Sequence, residues 1–320
     1  MRVLQMVVLS LAALILSGFV GTAQTEPSTA PRQVIQHLIE SGHVQEAQDR
    51  LKEEVAAHGE SPETIFLEGL ILFKQKQYEK SLQKAERSLA LGLRETEVYK
   101  LVAFNGIVLN RLETVEPALN AALKLAPDDF VLHFHLGLLY FTTNRFAMAE
   151  SQFQKVIELN PGYMKAYDML GQAQEEVEKE DTALETYHKA IELTDQQSLS
   201  DESAYLHLAK LLWVKNRYSE SLAPAQKAVE LNPKSAEACY VLGRLLDKLG
   251  KETEAEKLLR RATQIDSDYG EPYYLLSRIY LKEARQKEAA DALETFKSVT
   301  RNGGQKNGGQ KNGGISSRLQ

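Results

Sequence analysis

Cysteine is nearly missing from this 320-residue chain: Cys239 stands alone. An intrachain disulfide is therefore impossible, and the thiol is expected to serve as a small buried hydrophobe. Signatures of catalysis are missing too. No Gly-rich phosphate loop opens a helix, no His-Glu-x-x-His occurs, and no second Cys is present to share a metal. His133 and His135 are two residues apart, so on a helix they point away from each other and do not share a metal. Acidic pairs such as Glu53-Glu54 and Glu175-Glu176 read as solvated helix faces. No enzymatic role, metal or cofactor is expected. Basic excess is also lacking. The net charge is −6, while residues 1–23 carry only Arg2, and residues 297–320 carry Lys297, Arg301, Lys306, Lys311 and Arg318 with no acid. The acidity thus belongs to the middle of the chain, which argues against a nucleic-acid partner because phosphate binding needs a basic face.

A long apolar run occurs once, from Met6 to Val20. Arg2 precedes it and Gly21-Thr22-Ala23 follows. That order matches a secretory signal cleaved after Ala23, so residues 1–23 are expected to direct export to the periplasm or the medium. The alternative is an uncleaved inner-membrane anchor, since residues 3–23 approach the roughly 20 residues that a membrane helix needs. Residues 24–31, QTEPSTAP, form a polar, Pro-containing lead expected to be flexible. At the far end, residues 299–320 include NGGQK-NGGQK-NGG, with almost nothing apolar to bury, and are expected to be disordered.

Between these ends one pattern recurs. In residues 130–161, counting Phe130 as position 1, Leu136-Gly137 occupy positions 7 and 8, Tyr140 position 11, Ala149 position 20, Phe153 position 24 and Pro161 position 32. Steps of 34 residues give unit starts at 28, 62, 96, 130 and 164; a slip of four then resets the series to 202, 236 and 270. Position 8 is small in nearly every unit (Gly69, Ala103, Gly137, Gly171, Ala209, Gly243, Ser277), and position 20 reads Ala47, Ser81, Val115, Ala149, Ala183, Ser221, Ala255 and Ala289. Helix axes approach most closely where side chains are small, so both rows predict tight hairpin packing. Large residues fill position 24, as in Leu119, Phe153, Tyr187 and Leu259. Pro127, Pro161 and Pro233 sit at position 32, where they stop the second helix. Pro117 and Pro224 fall inside the second helices. These helices are read as starting late, with Thr114 and Ser221 as N-caps, which would place each proline in a first turn. The extra four residues lie within 194–201 and are expected to add a helical turn or a longer loop.

These landmarks resemble the tetratricopeptide repeat, a helix-turn-helix unit of 34 residues. The resemblance implies an all-α, right-handed solenoid of about eight repeats over residues 32–298. It also implies a concave wall built from the first helices, with positions 2, 5, 9 and 12 facing the groove. Those positions nominate a partner-binding surface at Phe66, Leu70, Phe73, Lys100, Phe104, Ile107, Phe134, Leu138, Phe141, Lys210, Trp213, Tyr240, Arg244, Tyr274 and Arg278. Five Phe rings on one open wall would exceed the apolar patch a soluble monomer normally shows. The expected function is therefore a non-catalytic scaffold binding an apolar or helical protein segment, with Arg244 and Arg278 free for an acidic part of it. The alternative is a structural subunit that buries the same wall in a homo-oligomer or envelope assembly. Two known grooves of the family do not fit. A carboxylate clamp would need Asn where Phe104 stands, and an Asn ladder is replaced by Leu67, Leu101, His135, Met169, His207, Val241 and Leu275.

Overall fold

The computed structural model describes residues 31–306. The signal expected over 1–23, the lead up to residue 30 and the tail beyond 306 lie outside the described residues. Among those described the chain is all-α, with sixteen helices and no strand. The first helices of successive repeats are α1 Pro31–Glu40, α3 Pro62–Lys74, α5 Thr96–Val108, α7 Phe130–Thr142, α9 Met164–Glu176, α11 Ser203–Val214, α13 Ala236–Lys248 and α15 Gly270–Lys282. The second helices are α2 Val44–His58, α4 Tyr78–Ala90, α6 Leu112–Leu125, α8 Phe146–Leu159, α10 Glu180–Gln196, α12 Tyr218–Leu231, α14 Glu252–Ile265 and α16 Gln286–Lys306. The chain divides into two compact units, residues 31–178 and 179–306, so the boundary falls between α9 and α10, inside the fifth repeat.

The backbone carries the same ruler as the side chains. Gly42, Lys76, Asn110, Asn144, Glu178, Asn216, Gly250 and Ala284 all hold φ between 56° and 84°, and they recur every 34 residues with one step of 38. Each sits at position 15, between the helices of a hairpin. A left-handed residue there lets the next N–H reach back to an orphan carbonyl and end the first helix. Such bonds run from Gln77 to Leu72, Arg111 to Gly106, Arg145 to Tyr140, Arg217 to Leu212, Lys251 to Leu246 and Arg285 to Tyr280, at 2.7–2.9 Å. Three of the four slipped residues lengthen a helix: α10 is 17 residues long where α6, α8, α12 and α14 have 14, and Ser198 at φ 51° ends it in the same way.

Side-chain caps start several first helices. Ser61 and Thr64 form a reciprocal capping box ahead of α3, and Ser235 accepts from the Ala238 N–H at the head of α13. The small positions do what their size implies. All eight residues at position 20 are buried. A Cβ added at Gly137 would meet the Phe153 ring at 2.6 Å, and one at Gly243 would meet Leu259 at 2.9 Å. Positions 8 and 24 are therefore two halves of one contact. Where serine replaces alanine at position 20, its hydroxyl bonds the carbonyl opposite: Ser81 to Gly69 and Ser221 to Ala209, both at 2.8 Å.

That last bond corrects the reading of the prolines. α6 starts at Leu112 and α12 at Tyr218, so Pro117 and Pro224 lie inside their helices rather than in a first turn. Ser221 is committed across the hairpin, and the Thr114 hydroxyl donates back to the Arg111 carbonyl instead of capping. The final helix also departs from expectation. It runs on to Lys306, past the Ser298 end and into the stretch read as tail.

Candidate functional site

In the first unit, α1, α3 and α5 present their inner faces to one open cleft of about 480 Å³. Four of the predicted residues meet there: Leu70 and Phe73 from α3, Lys100 and Phe104 from α5. Leu101 and Ile39 complete an apolar floor, and Gln36, Glu40, Lys74 and Glu97 ring it. Phe73 is braced by an edge-on contact with Tyr78 at 5.4 Å.

The polar rim is held from outside the cleft. Asp129 caps α7 by accepting the Val131 and Leu132 N–H groups on Oδ1, and its Oδ2 accepts the Lys100 ammonium at 2.7 Å. One carboxylate thus starts a helix and fixes a cation on the lip. Across the cleft, burial pushes the Lys74 ammonium below its usual range, opposed by the charge of Glu40. Burial likewise raises the Glu40 carboxyl, against the pull of His37 and Lys74. Both groups are poorly solvated charges facing a hollow. Arg32 of α1 pairs with Glu95, which precedes α5, and ties the two ends of the cleft together.

The remaining predicted wall residues of this unit do not line the cleft. Phe66 is 0% exposed and Phe134 4%, and Ile107 and Leu138 are also buried. They are core rather than an open surface. For Phe134 the reason is a contact between positions 5 and 34 of its repeat: Tyr163, in the turn before α9, closes over it with ring centroids 5.2 Å apart, and Phe153 backs it at 5.7 Å. Phe141 is half-buried against Phe146. The expected five-ring apolar wall therefore reduces to Phe73 and Phe104 at the cleft, with Phe141 apart from it.

Behind the cleft lies His135, 1% exposed, in edge contact with the cleft residue Phe104 at 5.3 Å and with no hydrogen-bond partner on either ring nitrogen. Burial depresses its pKa to about 4, with Asp129 raising it and Lys100 lowering it to lesser degrees. The folded state therefore holds it neutral while an unfolded chain, with the ordinary value near 6.5, takes up a proton. The stability this difference provides is complete above pH 6.5 and is lost as pH falls toward 4. The expected size is up to roughly 3 kcal/mol at one pKa unit per 1.36 kcal/mol. Urea midpoints of wild type and His135→Leu between about pH 7.5 and 4.5 check this: the gap in favour of the variant should widen on acidification. A gap that stays constant would count against a buried neutral imidazole.

In the second unit the predicted residues form a different surface. Arg244 of α13 lays its guanidinium 3.9 Å from the Trp213 ring centre on α11 and 5.6 Å from Tyr240. Tyr240 rests edge-on against Tyr269, and Tyr274 of α15 is 45% exposed beside Phe296. Lys210 is paired with Glu237, and Arg278 is exposed.

Gln36, Ile39 and Glu40, from the first repeat, are not among the groove residues nominated from the sequence, which begin at Phe66. They occupy positions 9, 12 and 13 of that repeat, so the groove positions extended one unit back would have found the first two. Among the described residues no group of three or more His, Cys, Asp or Glu side chains is placed to hold a metal.

Helical hairpins on a 34-residue period, each reversed by a left-handed residue and packed through small positions 8 and 20, define a helical-repeat protein. Three family profiles match it: one described as YpiA-like, tetratricopeptide repeats, over residues 108–160, and two described as Tetratricopeptide repeat, over 169–236 and 215–279. The chain belongs to the tetratricopeptide repeat family. It is similar to the TPR repeat-containing protein YpiA of Bacillus subtilis, 23% identical over 217 residues, covering 58% of this chain and 51% of that protein. It also resembles anaphase-promoting complex subunit 3 of Schizosaccharomyces pombe, 22% identical over 206 residues, covering 64% of this chain and 30% of that one. The chain thus spans between about a third and a half of these relatives' own lengths. Among solved structures, the APC/C hetero-tetramer Cut9-Hcn1 superposes with a TM-score of 0.58 at 14% identity, over 78% of this chain and 49% of that one. This last likeness is one of fold.

Proposed function

We propose that the protein is a non-catalytic scaffold that holds a segment of a partner polypeptide in the cleft of its first unit. The observation that carries this reading is the cleft itself. Ile39, Leu70, Phe73, Leu101 and Phe104 make an apolar floor against which a partner's apolar side chain can rest, and the charged side chains around it can orient a backbone. The subunit name of the fission-yeast relative supports a role within an assembly. With the opening apolar run read as an export signal, the partner is sought in the cell envelope.

Photocrosslinking tests this. A benzoylphenylalanine placed at Leu70, in the cleft, should give a discrete adduct in envelope extracts, and one placed at Gln83, exposed on α4, should not. Identical adducts from both positions would remove the cleft as the binding site. An adduct with the mass of a second copy of this chain would instead favour the homo-oligomeric assembly.

A further inference from the structure

The second unit carries a surface of its own, independent of the cleft. Its arginines are mostly committed. Arg217, Arg260 and Arg285 form ion pairs, and Arg261 donates to the Pro233 carbonyl. Arg244 and Arg278 differ: neither has a carboxylate within ion-pair distance among the described residues. They occupy the same position, 9, in adjacent repeats, on α13 and α15, which pack against each other.

Of the three acids on α11, α13 and α15, two are engaged elsewhere, and the third, Glu271, shares the surroundings of Tyr240 with Arg244 without coming within ion-pair distance of it. On α13, Glu237 is taken by Lys210 and Asp247 by Lys282; α11 has no acid, and Glu271 on α15 is the remaining one on these three helices. Arg244 is also held in place. Its guanidinium lies over Trp213 and beside Tyr240, while its Nε is buried without a hydrogen-bond partner. Stacking on Trp213 and a hydrogen bond to Tyr240 fix the guanidinium, which has five N–H donors, so it loses little freedom when a carboxylate arrives at those that remain.

We propose that the inner face of α11, α13 and α15 binds an extended acidic peptide, with one Asp or Glu side chain on Arg244 and a second on Arg278. Packed helices lie about 8–10 Å apart, and an extended chain advances about 3.3 Å per residue with side chains alternating in direction, so two acids on one side of the chain are two residues apart, their side chains reaching the rest of the way. The exposed face of Tyr274 beside Arg278 offers an apolar contact to the residue that follows.

Trp213 is the only tryptophan in the chain, so its emission reports on this site alone. The probe is a twelve-residue Gly/Ser peptide with two Glu two residues apart, acetylated and amidated, titrated into the full chain at about 50 mM salt. A saturable change in Trp213 fluorescence is expected, weakened at least tenfold when both Glu are replaced by Gln, and weakened again at about 300 mM salt. Arg278→Gln should weaken it about tenfold while leaving the helical circular dichroism unchanged, because Arg278 is exposed. Arg244→Gln should abolish it, but that variant also removes a packed side chain, so Arg278→Gln is the deciding variant. The assignment is overturned by no saturable change up to millimolar peptide, by equal binding of the Gln peptide, by an unaffected Arg278→Gln, or by binding that requires a free C-terminus. None of these results bears on the cleft of the first unit.

Discussion

Phe134→Asp is expected to unfold the first unit. The ring is enclosed by Phe153, Tyr163 and His135, so the substitution removes a large apolar side chain and leaves a buried carboxylate whose only basic neighbour among these rings is the imidazole of His135, itself held neutral by burial. Either change alone is expensive. Loss of a buried Phe costs about 3–5 kcal/mol, and an unpaired buried charge adds several more unless it takes up a proton. A domain has only about 5–15 kcal/mol to lose. Far-UV circular dichroism at room temperature should therefore show a marked loss of helix, and Tyr274→Asp, at an exposed ring of the second unit, should show none. A Phe134→Asp protein with the wild-type urea midpoint would mean that the ring faces solvent after all.

Phe153→Ala is expected to cost about 3–5 kcal/mol, because the ring is fully buried at the closest approach of α7 and α8. The more informative result lies in the pair it makes with Gly137. In wild type, Gly137→Ala gains up to about 1 kcal/mol of helix propensity. It also sets a methyl 2.6 Å from a ring that has no room to retreat. Overpacking of this kind costs about 1–3 kcal/mol, so the net effect is loss. Once Phe153 is alanine the obstruction is gone, and the same Gly137→Ala should stabilise. A change of sign between the two backgrounds, measured by urea unfolding of the four proteins, is the signature of direct contact. Additive effects would place positions 8 and 24 in separate contacts and undo the packing account of the repeat.

The repeat itself was legible because its information is local and recurrent. Small residues at positions 8 and 20, large ones at 24 and prolines at 32 mark the same coordinate in unit after unit, and the left-handed residues at position 15 fall on the same grid. The binding surface was less legible because a groove position does not by itself say whether its side chain is covered. Phe134 is sealed by Tyr163, 29 residues downstream, whereas Phe104 and Phe73 are left at the cleft. The covering residue is position 34 of the same repeat, as it is again where Tyr269 meets Tyr240 at 5.2 Å, whereas Phe104 and Phe73 stand at positions 9 and 12. The proline misreading has a similar cause. Treating Ser221 as a cap applies a rule for helix ends, and the hydroxyl is instead spent on the Ala209 carbonyl twelve residues earlier, inside the hairpin. Lys100 is a groove position, but its anchoring by Asp129 is not read from that position alone, since the carboxylate stands at position 34, at the far end of the same repeat.

The left-handed residues have a bearing on synthesis. Each reversal of direction is specified within six consecutive residues, without help from anything distant along the polypeptide. A chain emerging residue by residue from the ribosome can thus complete one hairpin before the next is translated, and each finished hairpin offers a ready template for its successor. Such vectorial growth keeps the apolar face of an unfinished array short at every moment.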